Sequence, residues 1–158
     1  MIGLLIAIIV FNLIAFRTNT TLTLNQILHI WTFTIASQQT FDLLIEFKYE
    51  GYWYFGKEVD WMGILAHTIL IPPVNMMFLN WYPFKKKLRH KTRYIVIWVI
   101  AILIYETITL LPKPWGYFHY GWWKLWYAAI VDPILLLILL NYYKWIRKAE
   151  NKLLTKDK

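Results

Sequence analysis

The chain has 158 residues, 59% of them hydrophobic and 19% aromatic, with only 16% charged, where a soluble domain carries nearer ~25%. Five apolar stretches leave no unassigned piece longer than 12 residues, which excludes a soluble domain, a nucleotide-binding βαβ unit or a zinc module between them. The net charge of +8 lies largely in two short blocks beside apolar stretches, the placement of a membrane protein rather than a nucleic-acid binder.

Helices are the expected form of each stretch, because hydrocarbon leaves the backbone to satisfy its own hydrogen bonds and about 20 apolar residues cross it. The expectation is an all-α polytopic bundle of five transmembrane helices forming one domain. The spans are 2–16, 22–47, 60–83, 94–112 and 122–146, and a basic tail follows at 147–158.

The first span is short, and Arg17 follows it while no charged region precedes it. This is not the pattern of a signal peptide, and it favours the N-terminus outside. Span 2 carries His29, Thr32, Gln38, Gln39, Asp42 and Glu46. At 100° per residue, Thr32, Gln39, Asp42 and Glu46 fall in one sector and make a polar stripe. The loop after it, 49–60, is rich in tryptophan and tyrosine. Span 3 carries His67 and then Pro72-Pro73, which predicts a kink and carbonyls without helical partners near Thr68 and Ile69.

The block KKKLRHKTR follows, and its Lys85, Lys86, Lys87 and Arg89 are candidate contacts for anionic lipid, although orientation alone also explains them. Span 4 carries Glu106. The second aromatic loop, 113–121, precedes span 5, which carries Asp132 before Pro133, with Ala128 and Ala129 one turn back to allow a neighbour close approach. The aromatic loops are too apolar for solvated turns and are read as interfacial short helices or lids. Trp53, Trp115, Trp122 and Trp126 are candidates for a stacking platform for a sugar, peptide or lipid headgroup.

With the N-terminus outside, Arg17, Lys85, Lys86, Lys87, Arg89, Lys91, Arg93, Lys144, Arg147, Lys148, Lys152, Lys156 and Lys158 lie inside. Only Lys48, Lys57, Lys113 and Lys124 lie outside. That asymmetry is the positive-inside pattern at every loop, so the expected location is the cytoplasmic membrane with the C-terminus inside. The sequon at Asn19 is then cytoplasmic and read as chance.

Intramembrane polar side chains cost about 2.5–3.5 kcal/mol each on insertion and mark functional candidates. Asp42, His67, Glu106 and Asp132 share the outer half of the bilayer in this topology, and His29 the inner half. The four outer residues with Gln39 form the candidate binding site, and His67, Asp42, Glu106 and Asp132 are the candidate ligands should a metal bind. No cofactor is specified. Cysteine is absent and Ser37 is the only serine, so thiolate chemistry and the familiar serine and metalloprotease motifs are excluded.

An internal repeat reinforces the convergence. GYWYFG (51–56) followed by Trp61 matches GYFHYG (116–121) followed by Trp126, and the same spacing aligns His67 with Asp132. A parallel duplication of a helical hairpin, spans 2–3 and 4–5, would put a site on a pseudo-two-fold axis along the membrane normal.

The strings PPVNMMFLNWYPF (72–84) and LLPKPWGYFHYGWWKLWY (110–127) resemble a family of uncharacterised small multi-pass membrane proteins from spore-forming Gram-positive bacteria. The resemblance covers spans 2–5, implies a bacterial cytoplasmic-membrane protein, and carries no catalytic residue with it. The functional expectation is a binding, transport-accessory or sensing role at the outer polar cluster. The alternatives are an intramembrane enzyme with a His/carboxylate metal or general-base site, and a purely structural membrane protein. The bilayer is the expected partner, with a second membrane protein or a second copy of the chain as further candidates.

Overall fold

The computed structural model describes residues 1–58 and 61–156, the side chains only as far as Lys152. Asp60, the expected first residue of span 3, and Lys158, counted with the basic tail, lie outside the described residues, as does the side chain of Lys156.

The chain is mostly helical. Helix α1 is Ile2–Arg17. Helix α2, Leu24–Asp42, runs on without a break as a π-helical segment, Leu43–Lys48. Strand β1 is Tyr52–Tyr54. Helix α3, Trp61–Leu65, passes through a second π-helical segment, Ala66–Leu70, into α4, Ile71–Trp81. Helix α5 is Leu88–Thr109, strand β2 is Phe118–Tyr120, and α6 is Leu125–Lys156.

Three helical stretches are long and apolar enough to cross a membrane: 61–81, 88–109 and 125–152. The 22 residues of α5 span about 33 Å at 1.5 Å each, matching ~30 Å of hydrocarbon. Helix α1 is apolar but has only 16 residues. Helix α2 with its π extension has the length and lacks the hydropathy, because the polar stripe lies along it. Of the five expected spans, therefore, three meet the length and hydropathy of a crossing helix.

Local chemistry explains the boundaries. Thr23 caps α2 in a capping box: its hydroxyl accepts from Gln26 N while the Gln26 side chain accepts from Thr23 N, satisfying two amides that no helical carbonyl reaches. Helix α5 stops at Thr109, three residues short of Pro112, whose ring disfavours helical geometry just before it. Pro72 and Pro73 sit at the start of α4. The Ile69 carbonyl that Pro73 deprives of its donor is instead bonded by Asn12 Nδ2 from α1 at 3.0 Å. The predicted disturbance thus takes the form of a π-helical segment stitched to its neighbour.

The main core joins Ala15, Ile30, Met76, Phe78, Leu79, Val99, Leu136, Leu139, Leu140 and Tyr143. Outside it, Val96, Ile97, Ile100, Ile104 and Ile108 of α5 and Ile130, Ile134, Leu137 and Ile138 of α6 are exposed. Apolar stripes of this extent are rare on water-soluble monomers and suit a lipid-facing surface.

The bundle has two chemically different ends. At one end Gly3 N bonds Pro114 O at 3.4 Å, and β1 pairs antiparallel with β2 in the register Tyr52↔Tyr120, Trp53↔His119, Tyr54↔Phe118. A Cβ on Gly121 would collide with the Glu50 carbonyl, so glycine is what permits this approach. At the opposite end Asn80 Oδ1 accepts from Thr20 N and Thr21 N, both at 3.2 Å, while its Nδ2 donates to Thr18 O at 2.8 Å. Glu150 accepts there from Asn25 and Gln26 at 2.7 and 2.5 Å. Each aromatic loop thus contributes a three-residue strand where a short interfacial helix or a lid was expected, adding a two-stranded sheet to an otherwise helical fold.

Candidate functional site

Beneath the paired strands, α2 and its π-helical extension deliver Asp42 and Glu46, and the second π-helical segment delivers His67. All three are buried, at 1%, 6% and 4% exposure. Asp42 Oδ2 lies 3.2 Å from His67 Nε2, and one donor atom from each of the three residues falls within 4.8 Å of the others. Among the described residues these make the one group of His, Asp and Glu side chains so assembled.

Each carboxylate is held from behind. Gln38 Nε2 donates to both Asp42 oxygens, at 3.0 and 2.9 Å, and the Tyr52 hydroxyl of β1 donates to Asp42 Oδ1. The Tyr54 backbone N–H donates to Glu46 Oε1 at 3.2 Å. The Tyr54 ring stands edge-on to His67, centroids 4.7 Å apart. Burial pushes the Tyr52 hydroxyl well above its ordinary titration range, and the neighbouring Asp42 charge adds to that. It therefore remains a proton donor to Asp42 at any physiological pH.

Why the chain brings these residues together is visible in α2. Gln26, Ile30, Thr34, Asp42 and Glu46 are its buried positions, and Gln38 lies in the same four-residue series. In an α-helix such a row drifts about 40° per step, so it meets different neighbours at different depths. Gln26 meets Glu150 and Tyr143 of α6, Thr34 meets Asn75 of α4 at 2.9 Å, and Asp42 meets His67 and β1. The π-helical turns fall where Glu46 and His67 must enter the cluster, a location where such turns recur at functional sites.

Of the residues expected at the site, Asp42 and His67 are together. Gln39 is exposed, and Gln38 holds Asp42 in its place, because the i to i+4 spacing sets Gln38 directly over Asp42. Thr32 is likewise exposed. Glu106 and Asp132 lie outside that group; the Tyr120 hydroxyl donates to Glu106 Oε1 at 2.6 Å. Asp132 Oδ2 is buried and has no hydrogen-bond partner among the described residues. Of the alanines before Asp132, Ala128 is buried and Ala129 exposed.

The four candidate platform tryptophans do not pair with one another. Trp53 stacks on His119, centroids 6.2 Å apart, under Lys57. Trp122 Nε1 donates to Tyr49 O at 2.7 Å, and Trp126 stacks on Tyr127 at 3.6 Å. Trp115 is exposed, its carbonyl against Gly3. His29 meets the Tyr142 hydroxyl at 3.4 Å.

Sequence reading missed Glu46, Tyr52 and Gln38 as site residues. Glu46 was in the stripe, and the signal for it was its i+4 spacing from Asp42. No family model, curated protein or solved structure matches the chain.

Proposed function

We propose that this chain is a five-helix protein of the bacterial cytoplasmic membrane, with the β1–β2 end outside, that binds a small ligand at the Asp42–Glu46–His67 cluster. The role is that of a binding, transport-accessory or sensing protein. The observation that carries it is the meeting of two carboxylates and a histidine, all over nine-tenths buried, beneath a strand pair formed by two separate loops.

Support for the topology comes from the two ends: residues 49–58, 113–121 and Gly3 share one end, and 18–23, 82–87 and the α6 extension share the other. The basic residues divide between these ends as the positive-inside pattern requires. Lys85, Lys86, Lys87 and Arg89 are exposed at the cytoplasmic end of this reading and face anionic headgroups there.

Duplication of the 2–3 and 4–5 hairpins belongs to the same reading. A shift of 65 residues, the interval between the GYWYFG and GYFHYG motifs, turns the pair Tyr52↔Tyr120 into Tyr117↔Phe55. Phe55 N bonds Tyr117 O at 2.9 Å, and Gly121 N bonds Gly51 O at 2.8 Å, so the two motifs pair from Gly51 to Phe55 against Tyr117 to Gly121.

The enzymatic alternative rests on the His67–Asp42 contact, whose 3.2 Å suits a base with its orienting carboxylate. The binding reading is preferred because Asp42 is already engaged by Tyr52 and Gln38 as well.

The test is a melting screen of the full-length chain in detergent against mono- and divalent cations, amino acids and sugars, repeated with His67→Gln. A ligand at about 100 times its Kd stabilises by ~2.7 kcal/mol, or roughly 5–11 °C for a chain of this size. At least one solute class should raise the wild-type midpoint and leave His67→Gln unmoved. A screen in which no solute shifts the wild type, while His67→Gln melts lower, would make the cluster structural only.

A further inference from the structure

We infer that Asp42, Glu46 and His67 form a three-ligand site for a divalent transition-metal ion of the zinc class. The inference rests on the binding reading above and names the ligand of that site.

Charge is the first argument. Two carboxylates and an imidazole, each at least 94% buried, carry net negative charge if both acids are ionised, and burying unbalanced charge is costly. One divalent cation cancels two carboxylates while using the imidazole as a neutral donor.

Geometry is the second. Zinc binds histidine nitrogen and carboxylate oxygen at about 2.0–2.2 Å, which puts tetrahedral donors about 3.4 Å from one another. His67 Nε2 and Asp42 Oδ2 are already 3.2 Å apart, and no donor pair in the set exceeds 4.8 Å. Closing on an ion therefore takes side-chain movement of up to about 1.4 Å, within the reach of the Glu46 side chain.

The surroundings are the third. Metal ligands are oriented by outer hydrogen bonds, and here Tyr52 and Gln38 orient Asp42, the Tyr54 amide orients Glu46, and the Tyr54 ring abuts His67. One nitrogen and two carboxylates favour a zinc, iron or manganese type of ion over calcium, which takes six to eight oxygens. Three protein donors leave a further coordination position for water or an external ligand. Among the described residues, Glu106 and Asp132 join no such group and are not part of this site.

The experiment uses full-length protein in detergent, washed with chelator, then titrated with zinc against a chromophoric competitor, with metal content measured by elemental analysis. The expected result is about one zinc per chain, from the single-site geometry. His67→Gln should weaken it at least about 100-fold and Tyr52→Phe by about 10–100-fold. His29→Gln and His90→Gln should titrate as wild type. Because Tyr52→Phe keeps all three ligands, its loss of affinity in a monodisperse sample separates a metal role from collapse of the fold.

Failure of the wild type to hold zinc, or equal affinity in wild type and His67→Gln, overturns the assignment. If zinc fails while an organic solute in the melting screen still shifts the wild type and not His67→Gln, the metal is wrong and the binding reading stands. If zinc fails and no solute shifts the wild type, both fall.

Discussion

Tyr52→Phe is the cleanest perturbation of the cluster. The ring packs against Phe118 and Trp123, with centroids 5.0 and 5.6 Å away, and phenylalanine keeps those contacts. Only the hydroxyl on Asp42 Oδ1 is lost. A hydrogen bond to a charged group contributes about 1.5–3 kcal/mol, and Tyr52 is 5% exposed, so water does not readily replace it. At about 2–4 °C per kcal/mol for a chain of this size, the melting midpoint should fall by roughly 3–12 °C.

Differential scanning fluorimetry in detergent, or calorimetry, reads this directly. Tyr52→Phe combined with His67→Gln should be non-additive by at least about 0.5 kcal/mol, because both side chains act on Asp42. An unchanged midpoint in the single variant, or strict additivity in the double, would refute the idea that β1 and Asp42 form one unit.

Three other outcomes follow from the same structure. In the wild-type chain, which has no cysteine, cysteines at Lys57 and Lys113 should react with an impermeant thiol reagent in intact cells, and cysteines at Lys87 and Lys148 should not; the reverse pattern would invert the topology. Cysteines replacing the Cα partners Trp53 and His119 should oxidise to a disulfide, since antiparallel partners lie about 4.5–5.5 Å apart, inside the disulfide range; failure to cross-link would reject the strand register.

Glu150 is held below the usual carboxylate range by the Gln26 and Asn25 side-chain amides. Its stabilising contribution is therefore present above roughly pH 4.3, the unfolded value, and is lost as pH falls through its lower folded value. Glu150→Gln should flatten the acid limb of the melting profile, and an unaltered limb would contradict the contact.

How far the molecule could be read from its residues depends on which periodicity governs each element. Apolar length alone marks 60–83, 94–112 and 122–146, which overlap the helical stretches 61–81, 88–109 and 125–152, because hydrocarbon imposes helix on any such run. Asp42 and His67 could be matched in depth by counting from the basic ends. The neighbour of Asp42 could not. A fixed 100° step selects Gln39, whereas the buried series 26, 30, 34, 42, 46 steps by four and passes through Gln38. That series is favoured by partners on three other elements, which the linear sequence does not display.

Likewise GYWYFG and GYFHYG were recognisable as related strings, but their bonding to each other required two loops separated by 59 residues to be brought to one end. The Pro72-Pro73 pair announced disturbed backbone near Ile69; that Asn12 supplies the missing donor depends on the docking of α1, a tertiary contact with no local signature.

The most direct measurement is X-ray absorption at the zinc edge of the zinc-loaded full-length chain. The first shell should hold one imidazole nitrogen with oxygen donors at about 2.0–2.2 Å and be lost in His67→Gln. Two or more imidazoles in that shell, or a spectrum identical in wild type and His67→Gln, would place the ion elsewhere and rule out the Asp42–Glu46–His67 site.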